Sequence, residues 1–443
     1  MNEASKIPSS LPSGALAPGT LVRVMGARLG RHPTVLIKSG ELSLKGTLVS
    51  TTDVSAVFLM PAALSNGEAS LTIDAEGGRS RPFPIRILQA AFGIESLRYS
   101  GGWLTLEGTG IGNAVNLEAN AGGVRIPIPQ AAIQRSAAGH DTIHIQLPPQ
   151  VPSGCHVPVY VRMPGYVSNF VELADRKGCR DLEWPLLPPS SKGRAGSVVL
   201  LRSSLTTVAR SWTVDSMYGM ILAATTHRAA APPMWFPLGA GQCRIVYQRE
   251  TDPFQPLRIS PAGFATVNVG GFLTIGDRRV PVTGNGMYTS TLGGESIFTR
   301  RKTPLFFTES SYRIESPAGL LSANIAFRDD LEFPVLTEPI DRTKDLHVRW
   351  KTSATRSIVV MGAQGLLSNS EVVGMCAVEP GSSDFSIPAE VLASLPASQK
   401  NPAMLTGFIG VAALEASVPF QARGMRQGVA STIRMHLNEV EFR

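Results

Sequence analysis

Short runs in which apolar and polar side chains alternate recur along the chain, and the clearest of them come in two copies. Val22-Arg23-Val24-Met25 runs into Gly26 and Gly30; Leu104-Thr105-Leu106-Glu107 runs into Gly108, Gly110 and Gly112 at an offset of 82. Period-two alternation followed by glycine predicts a strand entering a turn, because glycine takes positive φ without steric cost. The far ends of the copies match too. Leu59-Met60-Pro61 with Gly67 lines up with Gln146-Leu147-Pro148 and Gly154, now at an offset of 87, and the runs Leu71-Thr72-Ile73 and Val157-Pro158-Val159 follow. The change of offset is one loop insertion. Two tandem β modules follow, and such repeats form arrays that present surfaces.

The same alternation continues beyond them. Residues 1–19, rich in Pro, Ser and Gly, read as a flexible lead-in to modules at 20–90 and 91–182. A Pro-rich linker at 183–196, containing Trp184-Pro185 and Pro188-Pro189, is expected to be extended. Residues 197–339 read as a β-rich third domain, with a hairpin about Gly270-Gly271, and 340–443 as a fourth, immunoglobulin-like sandwich. Leu346, Val348 and Trp350 fall on one face, as in a central sandwich strand. Only 389–395 reads as a helical turn. The fold class is all-β: tandem sandwiches followed by further β-sandwich domains.

Composition agrees. At 443 residues the chain is long enough for roughly three or four domains of about 100 residues. Gly (43) and Pro (33) exceed average usage while charged residues make only 17%. Many turns and few charged helix faces suit sandwiches. The net charge of +7 is spread in ones and twos, as at Arg278-Arg279, without the basic stripe and interleaved aromatics of nucleic-acid binding, so a nucleic-acid partner is not expected. Membrane insertion is not expected either: the most apolar stretch, 217–231, contains His227 and Arg228. The start lacks the basic and apolar regions of a signal peptide, which fits a cytosolic chain or a secreted one whose signal is gone.

Cysteines bear on that choice. Cys155 and Cys179 flank the closing strands of the second module, and Cys243 with Cys376 would bridge two distant strands. An even count with plausible partners points to disulfides and an oxidising compartment; four buried free thiols are the alternative. Without a Cys-x-x-Cys pair, and with Cys155-His156 too close for zinc, no metal site is expected.

Several stretches resemble a known kind of protein. Ala17-Pro18-Gly19-Thr20-Leu21-Val22 leading to Gly26, Pro152-Ser153-Gly154-Cys155-His156-Val157-Pro158-Val159 and Val167-Ser168-Asn169-Phe170-Val171 resemble the IPT/TIG-like repeats of secreted acidobacterial proteins of the Solibacter type. Gly241-Gln242-Cys243 and the run from Phe385-Ser386-Ile387-Pro388 to Ser394-Leu395-Pro396 resemble the C-terminal region of those proteins. The resemblance implies export, immunoglobulin-like modules, cysteines placed for disulfides, and no established activity.

Catalytic signatures are scarce. No Gly-x-Ser-x-Gly elbow and no P-loop exist, so neither a hydrolase elbow nor a nucleotide site is read. Gly108-Thr109-Gly110-Ile111-Gly112-Asn113 lacks the last glycine of a dinucleotide fingerprint and reads as a turn; no cofactor is expected. His140 and His144 stand about 13 Å apart on an extended chain, too far to share an ion. Asp329, Asp330 and Glu332 offer hard oxygens for calcium or a carboxylate pair for glycoside hydrolysis; a solvated loop is the plainer reading. Among the five tryptophans, Trp103 and Trp350 are expected in the core, and Trp184 and Trp235, flanked by prolines, are the expected exposed pair for ligand contact. Two readings result: a non-catalytic extracellular protein for adhesion, envelope or matrix assembly, or a secreted carbohydrate-binding or carbohydrate-active protein. The expected partner is a cell-envelope glycan or a second copy, the latter through strand donation by the N-terminal tail.

Overall fold

The structure is a computed structural model that describes residues 1–112, 114–136, 138–154, 157–173, 194–207, 210–224, 238–249, 264–266, 269–283, 287–295, 302–319, 321–328, 330–365, 370–399, 405–422 and 425–443. Cys155, Cys179, Trp184 and Trp235, most of the expected linker, Asp329 and Asn113 lie outside these residues.

The chain is all-β, and the two repeats fold alike. In the first, Leu21–Met25, Ser55–Leu59 and Thr47–Thr51 form one sheet. Leu42–Lys45, Thr34–Ser39 and Gly67–Ala75 form the other, with Phe83–Ile87 on its far side. In the second, Ile133–Arg135, Asp141–Gln146, Trp103–Thr109 and Gly93–Ser100 face Val124–Pro127, Glu118–Ala121 and Val157–Met163. Leu21 stands opposite Leu59 and Trp103 opposite Gln146, so the two offsets of the sequence repeat map one cross-strand pair onto the other. The turns correspond as well. Arg28 and Gly30 take φ of 57° and 68°, and their counterparts Gly110 and Gly112 take 95° and 51°. Arg28 is thus one of the few non-glycine residues in the left-handed region.

The N-terminal segment is not the free lead-in that its composition suggests. Asn2 is fully buried and bridges Val22, as Tyr99 pairs with Leu104 in the second module, so the tail takes the edge place that Gly93–Ser100 occupies there. The Asn2 Oδ1 accepts from the Ala4 N–H at 2.9 Å and from the Thr109 hydroxyl at 3.0 Å. Glu3 forks onto the Arg23 guanidinium at 2.6 and 2.7 Å. Further along, Leu16 enters the core of the first module, Ala15 and Ala17 that of the second, and Ile7 and Leu11 that of the C-terminal region. Prolines and serines between these apolar residues erase any periodicity, which is why the segment reads as linker while packing as core. A tail committed within its own chain also removes the basis for donating it to a neighbour.

From Arg194–Thr206 onward most strands join one extended sheet, which is fourteen-stranded among the described residues. The boundary expected near Pro339 does not divide it. Leu321–Ala326, before that point, and Arg356–Gly365, after it, both pair with the long strand Gly407–Ala422. A proline there marks a turn, but a strand of sixteen residues is long enough to serve two cores. One core gathers Leu200, Met217, Tyr288, Ile314 and Phe420; the other gathers Ile245, Trp350, Val359, Val411 and Phe442. Against Phe307 and Phe327 of the first core lies a buried ionic row. The Arg202 guanidinium donates to both oxygens of Asp215 at 2.6 and 2.9 Å, and Asp215 Oδ2 accepts from the Phe306 and Phe307 N–H groups at 2.7 and 2.8 Å. Arg434 lies over the Phe327 ring beside them, and Glu415 occupies the bulge of Gly407–Ala422.

Local expectations divide. Cys243 and Cys376 stand directly opposite on paired strands, Cα atoms 4.0 Å apart, and are bonded. Val348 and Trp350 are buried together and Leu346 packs against them. The helical turn is Ala389–Ala393. The expected hairpin about Gly270-Gly271 is instead formed by Phe272–Ile275 and Arg278–Pro281 about Gly276, whose φ is 55°.

Candidate functional site

One face of the second module is covered and the other is open. Its sheet containing Val157–Met163 meets the C-terminal region, where the Glu390 carboxylate draws in Arg125 at 3.1 Å, Arg162 at 3.6 Å and the Tyr160 hydroxyl at 3.4 Å. Tyr160 also stacks against Phe170 with ring centroids 4.3 Å apart. Burial raises the Tyr160 pKa, and the negative Glu390 raises it further, so that hydroxyl stays a neutral donor.

The opposite sheet is held by four strands and faces solvent. Leu104 and Leu106 point into the core with Ile143 and Ile145, so Trp103, Thr105 and Glu107 point outward beside His144 and Gln146. This overturns the expectation for Trp103. Its side chain is out of phase with the leucines that follow it, and it is 42% exposed where Trp350 is 4% exposed. Alternation around Leu104 and Leu106 carried this signal. The indole stacks on the His144 imidazole, centroids 4.8 Å apart and planes within 1°. The Thr105 hydroxyl and His144 Nδ1 share a hydrogen bond of 2.9 Å, which fixes the imidazole from below.

Backbone geometry sets this platform. Trp103 follows Gly101 and Gly102 at φ of 60° and 84°, the two positive values that a tight primed hairpin turn demands and that glycine supplies. In the next rows, Arg98 flanks Thr105, and Ser96 flanks Glu107. The Glu107 Oε2 accepts from the Ser96 hydroxyl at 2.6 Å and from Arg98 Nη2 at 3.1 Å. Beyond Glu107 the strand shifts register, and Gly108 passes against the backbone of Gly93. The result is an exposed, mostly polar sheet surface bearing a paired aromatic and a paired charge. An exposed ring beside polar groups can take the apolar side of a ligand on the ring and its hydroxyl groups on the polar neighbours.

The other candidates do not converge. Asp330 Oδ2 accepts from the Ser353 N–H at 2.8 Å and Oδ1 from the Thr352 hydroxyl at 3.4 Å. Burial, the largest single influence, pushes its pKa up, but the Ser353 and Thr352 hydrogen bonds and Arg328 together outweigh it and leave the pKa lowered. Glu332 pairs with exposed Lys351 at 3.2 Å. Among the described residues no group of three or more His, Cys, Asp or Glu side chains is placed to hold a metal ion. Of the stretch 108–112, Gly108 and Thr109 still pair as strand and the chain turns only from Gly110, where the Ile111 N–H donates to the buried Asp141 carboxylate at 2.8 Å. Burial raises the Asp141 pKa. No helix among the described residues is long and apolar enough to cross a membrane.

No family model matches the chain, and no curated protein does. Solved structures match weakly. SGBP-B of the Bacteroides ovatus mixed-linkage glucan utilization locus, in complex with a mixed-linkage heptasaccharide, is 12% identical over 63% of this chain and 73% of its own, with a TM-score of 0.25. SGBP-B from a complex xyloglucan utilization locus in Bacteroides uniformis is 13% identical over 84% and 95%, with a TM-score of 0.19. A Ca2+-stabilized adhesin with which an Antarctic bacterium binds ice is 10% identical over 96% and 94%, with a TM-score of 0.14. At these scores the correspondences carry no functional argument.

Proposed function

We propose that this chain is a non-catalytic adhesion protein of the cell exterior that holds glycan surfaces on the open sheet of its second module. The observation that carries the reading is the Trp103–His144 stack, presented on the exposed sheet of a module whose other sheet meets the C-terminal region. An exposed indole costs solvation unless a ligand covers it, and stacking against an apolar sugar face recovers that cost. The Cys243–Cys376 bond favours an oxidising compartment, in keeping with this role.

The test is retention of the purified protein on a panel of insoluble polysaccharides and cell envelopes at low and high salt. Retention on at least one glycan is expected to persist in salt and to weaken at least about tenfold in Trp103→Ala, the ratio that 1.4 kcal/mol corresponds to. Trp184→Ala and Trp235→Ala, at positions outside the described residues, are measured alongside it. Equal retention of Trp103→Ala and parent would exclude this face as the binding surface.

A further inference from the structure

We propose that the platform selects uncharged glycans and that Glu107 is the residue that enforces this, an inference resting on the glycan-binding reading above. Among the residues paired in the rows of Trp103, Thr105 and Glu107, the side chains with a permanent charge are Arg98 and Glu107, and they pair at 3.1 Å. Arg98 is 73% exposed and stands one strand from Thr105, in the same row as His144. Unpaired, a guanidinium there would be a fork for carboxylate or sulfate groups next to the aromatic surface. Glu107 prevents that. Its Oε2 also accepts from the Ser96 hydroxyl at 2.6 Å, on the same strand as Arg98, so this oxygen is fixed toward that strand. The remaining groups beside the rings, Thr105, Gln146 and Ser100, are neutral donors and acceptors suited to hydroxyl groups. An acidic polysaccharide therefore meets a guanidinium already paired with a carboxylate, whereas a neutral chain meets hydrogen-bonding partners beside the rings.

The experiment compares binding of the full chain to an insoluble neutral glucan and to polygalacturonate, at low and at 1 M salt, for the parent, Glu107→Gln, Arg98→Gln and the double variant. The parent should bind the neutral polymer in preference. Glu107→Gln should gain up to about fivefold on polygalacturonate, the upper end of what one exposed ion pair is worth. That gain should vanish at 1 M salt, where the screening length is about 3 Å. Arg98→Gln should gain nothing, and the double variant should return to the parent's preference, which also shows that the gain does not arise from a disturbed fold. A parent that prefers polygalacturonate, or a Glu107→Gln that gains nothing, overturns the proposal. If the parent binds both polymers alike and loses both in Trp103→Ala, selection by Glu107 fails while the glycan-binding reading stands; if Trp103→Ala changes nothing, that reading fails as well.

Discussion

Two glycines on the same hairpin are required for different reasons, and their substitutions should differ accordingly. A Cβ on Gly108 would stand 1.9 Å from the Gly93 carbonyl oxygen, so the paired strands must part. At Gly102 a Cβ meets nothing, and only the φ of 84° opposes it. Gly102→Ala should cost about 1–2 kcal/mol, and Gly108→Ala distinctly more, both read by urea denaturation. Glu415 makes a third residue-level case. Burial pushes its pKa from 4.5 up to about 8, against the lowering effect of the Arg328 N–H that it accepts. Because the folded value lies above the unfolded one, the native state holds the proton longer, and stability falls as pH rises from about 4.5 to about 8. Glu415→Gln keeps a neutral side chain there, so its urea midpoint should decline less than the parent's between pH 5 and 8.

At the scale of elements, alternation and turn chemistry made much of this fold legible. Val22 and Leu104 announced equivalent strands, and the glycine turns after them take the same backbone conformations. Trp103 shows where such a reading errs: an aromatic beside apolar neighbours was assigned to the core, although its parity against Leu104 places it outside. The His144 partner was beyond reach, since it comes from a strand whose register only the folded sheet defines. The sheet shared by 194–439 was equally hidden, because nothing local tells a strand that both halves of its length will find different partners. The pairing of Cys243 with Cys376 was suggested by an even count with plausible partner strands, with free thiols as the alternative. It ties strands 133 residues apart, so replacing both with serine should lower stability by about 2–5 kcal/mol under oxidising conditions, measured by denaturant midpoint.

For the whole molecule, the N-terminal segment is the unexpected organiser. Residues 2–17 supply side chains to the cores of both modules and of the C-terminal region, so removing them opens voids in three places at once. Deletion of 2–17 should reduce amide hydrogen-exchange protection in 20–173 and in 340–443 together. A merely solvated lead-in would leave both unchanged.

The parallel pairing of Arg194–Thr206 with Met425–Glu439 has a consequence in time. Thr206 and His436, hydrogen-bonded at 3.1 Å, are separated by 230 positions. A chain delivered from its N-terminus presents the earlier strand long before its partner emerges. During that interval the edge not taken by the adjacent strand Ser211–Ala224 is an open template, the condition under which nascent β proteins adhere to one another. Yield of the intact protein is therefore set by how quickly the last strand arrives, and slow delivery or early termination favours aggregates over native molecules.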